Sequence, residues 1–128
     1  MDSPPFPGGA GRPMELEELE ALARAMGAQV RYMDILCGLF LAPGARRPAS
    51  LPESLRGVPV ILLPGGATRE RLTLTLAHEL GHMAMGHGTG ARKPRILEEI
   101  EAWNWAGRAL GPQGPPGMQE APRRARSR

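Results

Sequence analysis

The sequence predicts an α+β domain in which a small antiparallel sheet of about three strands packs on three helices. Three observations lead there. Apolar residues recur at helical spacing in three stretches, strand-like patterning or apolar runs mark three shorter ones, and clusters of Gly or Pro punctuate the chain.

At 128 residues the chain has room for one modest domain. Residues 1–13 and 111–128 are rich in Pro and Gly and carry almost nothing apolar to bury, so both are expected to be disordered tails, and the domain is expected over 14–110. The net charge of +3 resides in the second tail, where four Arg face one Glu; residues 1–110 hold twelve basic and twelve acidic residues. A neutral body argues against direct nucleic-acid binding, and the basic end reads as a solvated terminus. No apolar run approaches the ~18 residues of a membrane span, and no basic segment followed by an apolar one opens the chain. With one cysteine, which cannot form an intramolecular disulfide, this predicts a soluble, cytoplasmic protein. Cys37 lies in the apolar run 35–42 and is expected to be a buried structural thiol.

Leu16, Leu19, Ala23 and Met26 form one helical stripe, with Glu at 15, 17, 18 and 20 early and Arg24 late, as the helix dipole prefers; Gly27 is the natural stop. Residues 28–34 alternate as a strand does, and the apolar run that follows is most simply linked to them as a hairpin or meander. After a breaker-rich loop at 43–57, residues 58–63 (VPVILL) are apolar and β-branched, and Pro59 predicts the start of a strand or a sheet edge. Thr68 is a suitable N-cap for a helix running through Leu72, Leu76, Leu80 and Met83 to Gly86. A last helix is expected from about Pro94 to Leu110, ended by Gly111 and Pro112.

The central helix carries HELGH at residues 78–82. Histidines at i and i+4 lie one turn apart on the same face, so both imidazoles can reach one tetrahedral cation. Glu79 is offset from His78 by about 100°, which sets its carboxylate beside such a metal as a base for water rather than as a ligand. Chance places HExxH in roughly one chain of this length in a few hundred. Here the motif stands among Leu74, Leu76, Leu80 and Met83, and a core helix does not carry two His and a Glu without partners.

A catalytic zinc needs a third protein ligand and an open position. The spacing HExxHxxGxxH would require glycine at 85 and histidine at 88, where the chain has Met85 and Gly88, so His87 reads as an exposed loop histidine. The last helix offers Glu98, Glu99 and Glu101. Glu99 shares a face with Ala102 and Ala106, small residues that permit close helix approach, and is the first choice; Glu101 is the second, and Glu98 reads as a first-turn charge. Trp103 and Trp105 read as packing residues, Tyr32 as strand packing, and Arg69 with Arg71 as a solvated first turn.

RLTLTLAHELGHMAMGH (71–87) followed by EIEAWNWA (99–106) resembles the ImmA/IrrE-like metallopeptidases, over roughly residues 14–110. The resemblance implies a minimal zincin-like fold, Zn2+ held by His78, His82 and Glu99, and Glu79 as the catalytic base. It departs at Trp103, where that family has Asn or Asp, so a partner that steadies a ligand histidine must come from elsewhere. The implied function is a zinc-dependent endopeptidase whose substrate is a helix-turn-helix transcriptional repressor, held in extended form beside the 58–63 strand. The alternative is a non-proteolytic, zinc-containing module that sequesters a repressor or antitoxin-like partner.

Overall fold

The computed structural model describes residues 12–88 and 93–111; most of both expected tails lies outside the described residues. In chain order the elements are α1 (Leu16–Ala25), β1 (Gln29–Met33), β2 (Leu39–Leu41), a 3-10 turn at Glu53–Leu55, β3 (Val60–Pro64), α2 (Arg69–Ala84) and α3 (Arg95–Leu110). The helix boundaries follow local chemistry. Glu18 accepts a hydrogen bond from the Glu15 amide at 2.9 Å at the start of α1, and Gly27 turns the chain after it with φ +95°. Thr68 Oγ1 accepts from the Arg71 amide at 3.2 Å to cap α2, and Gly111 ends α3 with φ +68°. Among the described residues no helix is long and apolar enough to cross a membrane.

The domain is a small α+β fold, but its sheet is mixed rather than antiparallel. The strand order is β1-β3-β2, with β1 parallel to β3 and β2 antiparallel to it. The expected hairpin between β1 and β2 is therefore absent, and β3, expected at an edge, is central. The burial pattern explains both. All five residues of β3 are buried, as befits a strand covered on both faces, whereas Arg31 and Tyr32 of β1 and Leu39 of β2 are exposed and suit the edges. Pro59 does not interfere, because it precedes the strand; its carbonyl accepts from the Gln29 amide at 2.9 Å, and its missing N–H removes no ladder bond. Residues 34–38 cross the end of β3, a gap of roughly two strand spacings, or ~10 Å. Cys37 lies on that crossing and is exposed, so the expected buried thiol is corrected.

Alternate residues of β3 serve two cores. Ile61 and Leu63 pack with Leu19, Ala23, Leu76, Leu80 and Trp105 of the helices. Val60 and Leu62 pack with Leu41 and, from the 43–57 loop, with Leu51 and Leu55. Arg47 ties that loop down, donating to the carbonyls of Ala42 at 2.8 Å and Pro43 at 3.1 Å. On the helical side, α2 and α3 meet at Gly81 and Ala102. A Cβ on Gly81 would lie 2.4 Å from the Ala102 carbonyl oxygen and 2.9 Å from its Cα, so only glycine permits this approach.

Gly81→Ala is therefore expected to lose about 1–3 kcal/mol of stability by overpacking, read as a lower urea midpoint. A midpoint equal to wild type would show that the two helices separate without penalty.

Candidate metal site

The helix contact at Gly81 brings Glu99 of α3 over the two histidines of α2. His78 Nε2 lies 2.8 Å from Glu99 Oε1, and His82 Nε2 lies 3.2 Å from Glu99 Oε2, so one carboxylate spans both rings. Glu79 is buried, at 6 % exposure, and its Oε2 stands 3.3 Å from His78 Nδ1. Donor atoms of His78, Glu79 and His82 all lie within 4.8 Å of one another, a group that can hold a metal ion. Among the described residues this is the group whose donor atoms all come that close; Glu99 touches both rings but is not a member of it.

The remaining candidates are sorted by the same geometry. Glu101 is not brought to His78 or His82; it binds His87 Nε2 at 2.8 Å and the Lys93 ammonium at 2.7 Å and 2.9 Å. Glu98 lines the neighbouring cleft. Tyr32 donates to the Glu20 carboxylate, and its pKa is pushed up to about 12 by burial and by that acceptor. Arg69 forms a two-pronged ion pair with Glu17 at 2.6 Å and 2.7 Å, which holds that carboxyl down at about 2. Arg71 donates to the Leu36 carbonyl at 3.3 Å and lines the cleft. Trp105 is core, as expected.

Two residues read as bystanders in the sequence touch the histidines. Trp103 stacks on His78 with ring centroids 4.2 Å apart and planes inclined by 15°. It follows Glu99 by four residues, and that spacing, which puts both on one helical face, was the available signal. His87, expected in an exposed loop, is buried at 5 % exposure, and its Nδ1 lies 2.8 Å from His82 Nδ1. The reason is the way α2 ends. Gly86, with φ +75°, donates to the Met83 carbonyl at 3.0 Å, and the His87 amide donates to the His82 carbonyl at 3.0 Å. This is a Schellman turn, whose geometry folds the second residue past the helix back onto the residue three before its cap. Gly86 after an apolar helix was its signature in the sequence.

Burial opposes charge on all three central groups, and their partners decide the outcome. For His78 burial is the largest influence, but Glu79 and then Glu99 outweigh it and raise the pKa. His82 is lowered, by burial first and then by the neighbouring His78. Glu99 is lowered, because His78 and His82 together exceed the effect of burial. Above the site, Gly38 presses against α2; a Cβ there would lie 2.2 Å from Thr75 Cγ2 and 3.3 Å from Glu79 Cγ. Open clefts flank His78 and Glu79, one walled by Leu74, Thr75 and Trp103, the other by Leu39 and Phe40 of β2. Comparison with protein-family models, curated proteins and solved structures finds no match for this chain.

These shifts define a pH window for the metal-free protein. His78 has a folded pKa above its ordinary 6.5, so its contribution is fully present below 6.5 and fades as pH rises through the folded value. Glu99 has a folded pKa below 4.5, so its contribution is present above 4.5 and fades as pH falls through the folded value. Glu99→Gln is expected to lower the melting temperature of chelator-treated protein most between pH 4.5 and 6.5 and much less at alkaline pH. A deficit that grows steadily toward alkaline pH would refute the pairing.

Proposed function

We propose that the chain is a zinc-dependent endopeptidase of the HExxH type, with His78, His82 and Glu99 as metal ligands and Glu79 as general base. The observation that carries this reading is the placement of Glu99, a carboxylate from a separate helix whose two oxygens lie 2.8 Å and 3.2 Å from the Nε2 atoms of the two histidines. Donors around a tetrahedral zinc with bonds of ~2.0–2.1 Å stand about 3.3 Å apart, close to the spacing of these two contacts. Glu79 meets His78 through Nδ1 instead. One ring cannot give both nitrogens to one ion, and Nε2 is the atom that each ring turns toward Glu99. Two imidazoles and one carboxylate form the donor set of a catalytic zinc, with one position left open.

A bound zinc ion supplies Lewis acidity, which polarises a peptide carbonyl and acidifies water. The chain's own residues supply the remainder. The Glu79 carboxylate lies within 4.8 Å of the histidine donors, a gap wide enough for one water; there it would take the proton of the attacking water and pass it to the leaving amide nitrogen. Trp103 holds the His78 ring by stacking on it. The substrate backbone runs extended along the outer edge of β2, because Leu39 and Phe40 of that strand line the cleft beside Glu79. This replaces the 58–63 strand, whose two edges are already paired. The resemblance to ImmA/IrrE-like metallopeptidases contributes the substrate class, a helix-turn-helix repressor met in the cytoplasm.

The test compares Glu79→Gln and Glu99→Ala with wild type, measuring bound zinc by elemental analysis and cleavage of the candidate repressor by mass spectrometry. Glu79→Gln is expected to keep zinc and to lose cleavage by about 10²-fold or more. Glu99→Ala is expected to lose zinc. Retention of zinc by Glu99→Ala with loss by Glu79→Gln would assign the third ligand to Glu79. Full repressor inactivation by an uncleaving Glu79→Gln protein would turn the reading into a sequestering module.

A further inference from the structure

Residues four apart on a helix share a face, so Arg95, Glu99 and Trp103 form a row along α3 at one-turn spacing. Two of the three have partners in the site: Trp103 stacks on His78, and Glu99 spans the two rings. Arg95, one turn before Glu99, lines the cleft that also holds His78, Glu79, His82 and, from β2, Leu39 and Phe40. It is exposed, and among the described residues it makes no hydrogen bond or ion pair. Arginine and glutamate at this spacing on a helix surface ordinarily pair. Glu99 is turned to the histidines instead, so the guanidinium is left without its nearest counter-charge. Arg12, Arg56 and Arg69 show the usual outcome, each paired with a glutamate, and Arg47 donates to backbone carbonyls. Glu98 lines the same cleft but does not pair with Arg95 either. A planar fork of N–H donors left open at the edge of a cleft is matched best by a carboxylate, which accepts two parallel hydrogen bonds from it.

We propose that Arg95 is a specificity-determining residue that binds a carboxylate carried by the peptide substrate close to the scissile bond. This rests on the peptidase reading of the site and narrows its substrate class. The reach follows from the helix: one turn, ~5.4 Å, separates Arg95 from Glu99, and an extended peptide advances ~3.3 Å per residue, so the carboxylate belongs within about three residues of the bond that is cut. Two sources carry the same pair of oxygens, an aspartate or glutamate side chain and the free C-terminus of a peptide. Glu98 sharpens the requirement. Its charge offsets that of Arg95 in the cleft as a whole, so the selection is for one carboxylate that reaches the guanidinium and not for acidic peptides in general.

The test gives the full-length, zinc-loaded protein two randomised synthetic libraries of peptides about ten residues long, one blocked at both ends and one with a free C-terminus, and reads the cut sites by mass spectrometry. The same libraries are passed over immobilised Glu79→Gln protein, and the retained peptides are sequenced, so that recognition is read without cleavage. In the blocked library the expected result is Asp or Glu enriched at one fixed position within three residues of the cut. Enrichment confined to the free library, with cuts near its C-terminus, would assign the terminal carboxylate as the source. Arg95→Gln is expected to abolish the preference and Arg95→Glu to invert it towards Lys or Arg at the same position. For a single acidic peptide the loss is about fivefold, carried by KM and not by kcat, and it shrinks at high salt. An absence of acidic preference in both libraries, retention of no peptide, or a preference that Arg95→Glu leaves as it was would overturn the proposal. The two readings fail separately. Cleavage without acidic preference sinks the role of Arg95 and spares the peptidase, whereas retention of acidic peptides that depends on Arg95, by a protein that binds no zinc and cuts nothing, sinks the peptidase and leaves Arg95 as a carboxylate-binding residue.

Discussion

The separation of α2 and α3 at Gly81 and Ala102 controls everything the site can do, because every α3 side chain that reaches the histidines starts within four residues of Ala102. Glu99 spans both rings from one side, Trp103 stacks on His78, and Glu101 holds His87. The hydrogen bonds between Glu99 and His78 and between Glu101 and His87 do not tolerate a helix displaced by the width of a methyl group, since hydrogen bonds weaken steeply beyond ~3.2 Å. A position 2.4 Å from a neighbouring carbonyl is closed to any side chain, so the glycine inside HELGH is part of the site's construction and not filler between two histidines. The usual penalty for glycine in a helix interior, about 1 kcal/mol against alanine, is the cost of that approach.

Polar groups placed this deep must also find partners. Glu79 and His87 are nearly inaccessible, and the apolar core formed by Leu76, Leu80 and Trp105 lies against the same helices. The cluster meets the requirement by sharing: Glu99 serves two rings, His87 bridges His82 to Glu101, and Lys93 at the rim balances Glu101. Such a network is fragile in a particular way. Removing one member strands its neighbour in a low-dielectric setting, so single substitutions there cost more than the contact they delete.

The helices, their ends and the HELGH constellation were legible because each rests on local signals: Thr68 before an apolar stripe, Gly27 and Gly111 after one, and two histidines four residues apart. Glu99 was legible because helical phase ties it to Ala102 and Ala106. Strand order was not, since pairing joins residues distant in the chain and period-two patterning is silent about neighbours. The clue is present in the wholly apolar VILLP segment, which suits a central strand; of the two readings Pro59 allows, the start of a strand holds and the sheet edge does not. Cys37 was misread for a related reason. Its apolar neighbours suggested a strand, whereas the chain there is crossing from one side of β3 to the other, and Gly38 must press onto Thr75 to complete the crossing.

His87 illustrates how a helix stop can carry chemistry. On an uninterrupted helix it would stand about 140° away from His82, on another face. A residue at φ +75° reverses the path, and glycine adopts that conformation without the ~1–2 kcal/mol that a side chain would incur. The hydrogen bond from the His87 amide to the His82 carbonyl then places the two rings side by side as a consequence of backbone geometry alone. Position 86 thus terminates α2 and delivers a third imidazole to the first two in the same turn. For the same reason the orientation of His82 is coupled to the integrity of the helix end: fraying at Gly86 would release the ring that holds it, while leaving His78 and Glu79, two turns further in, where they are.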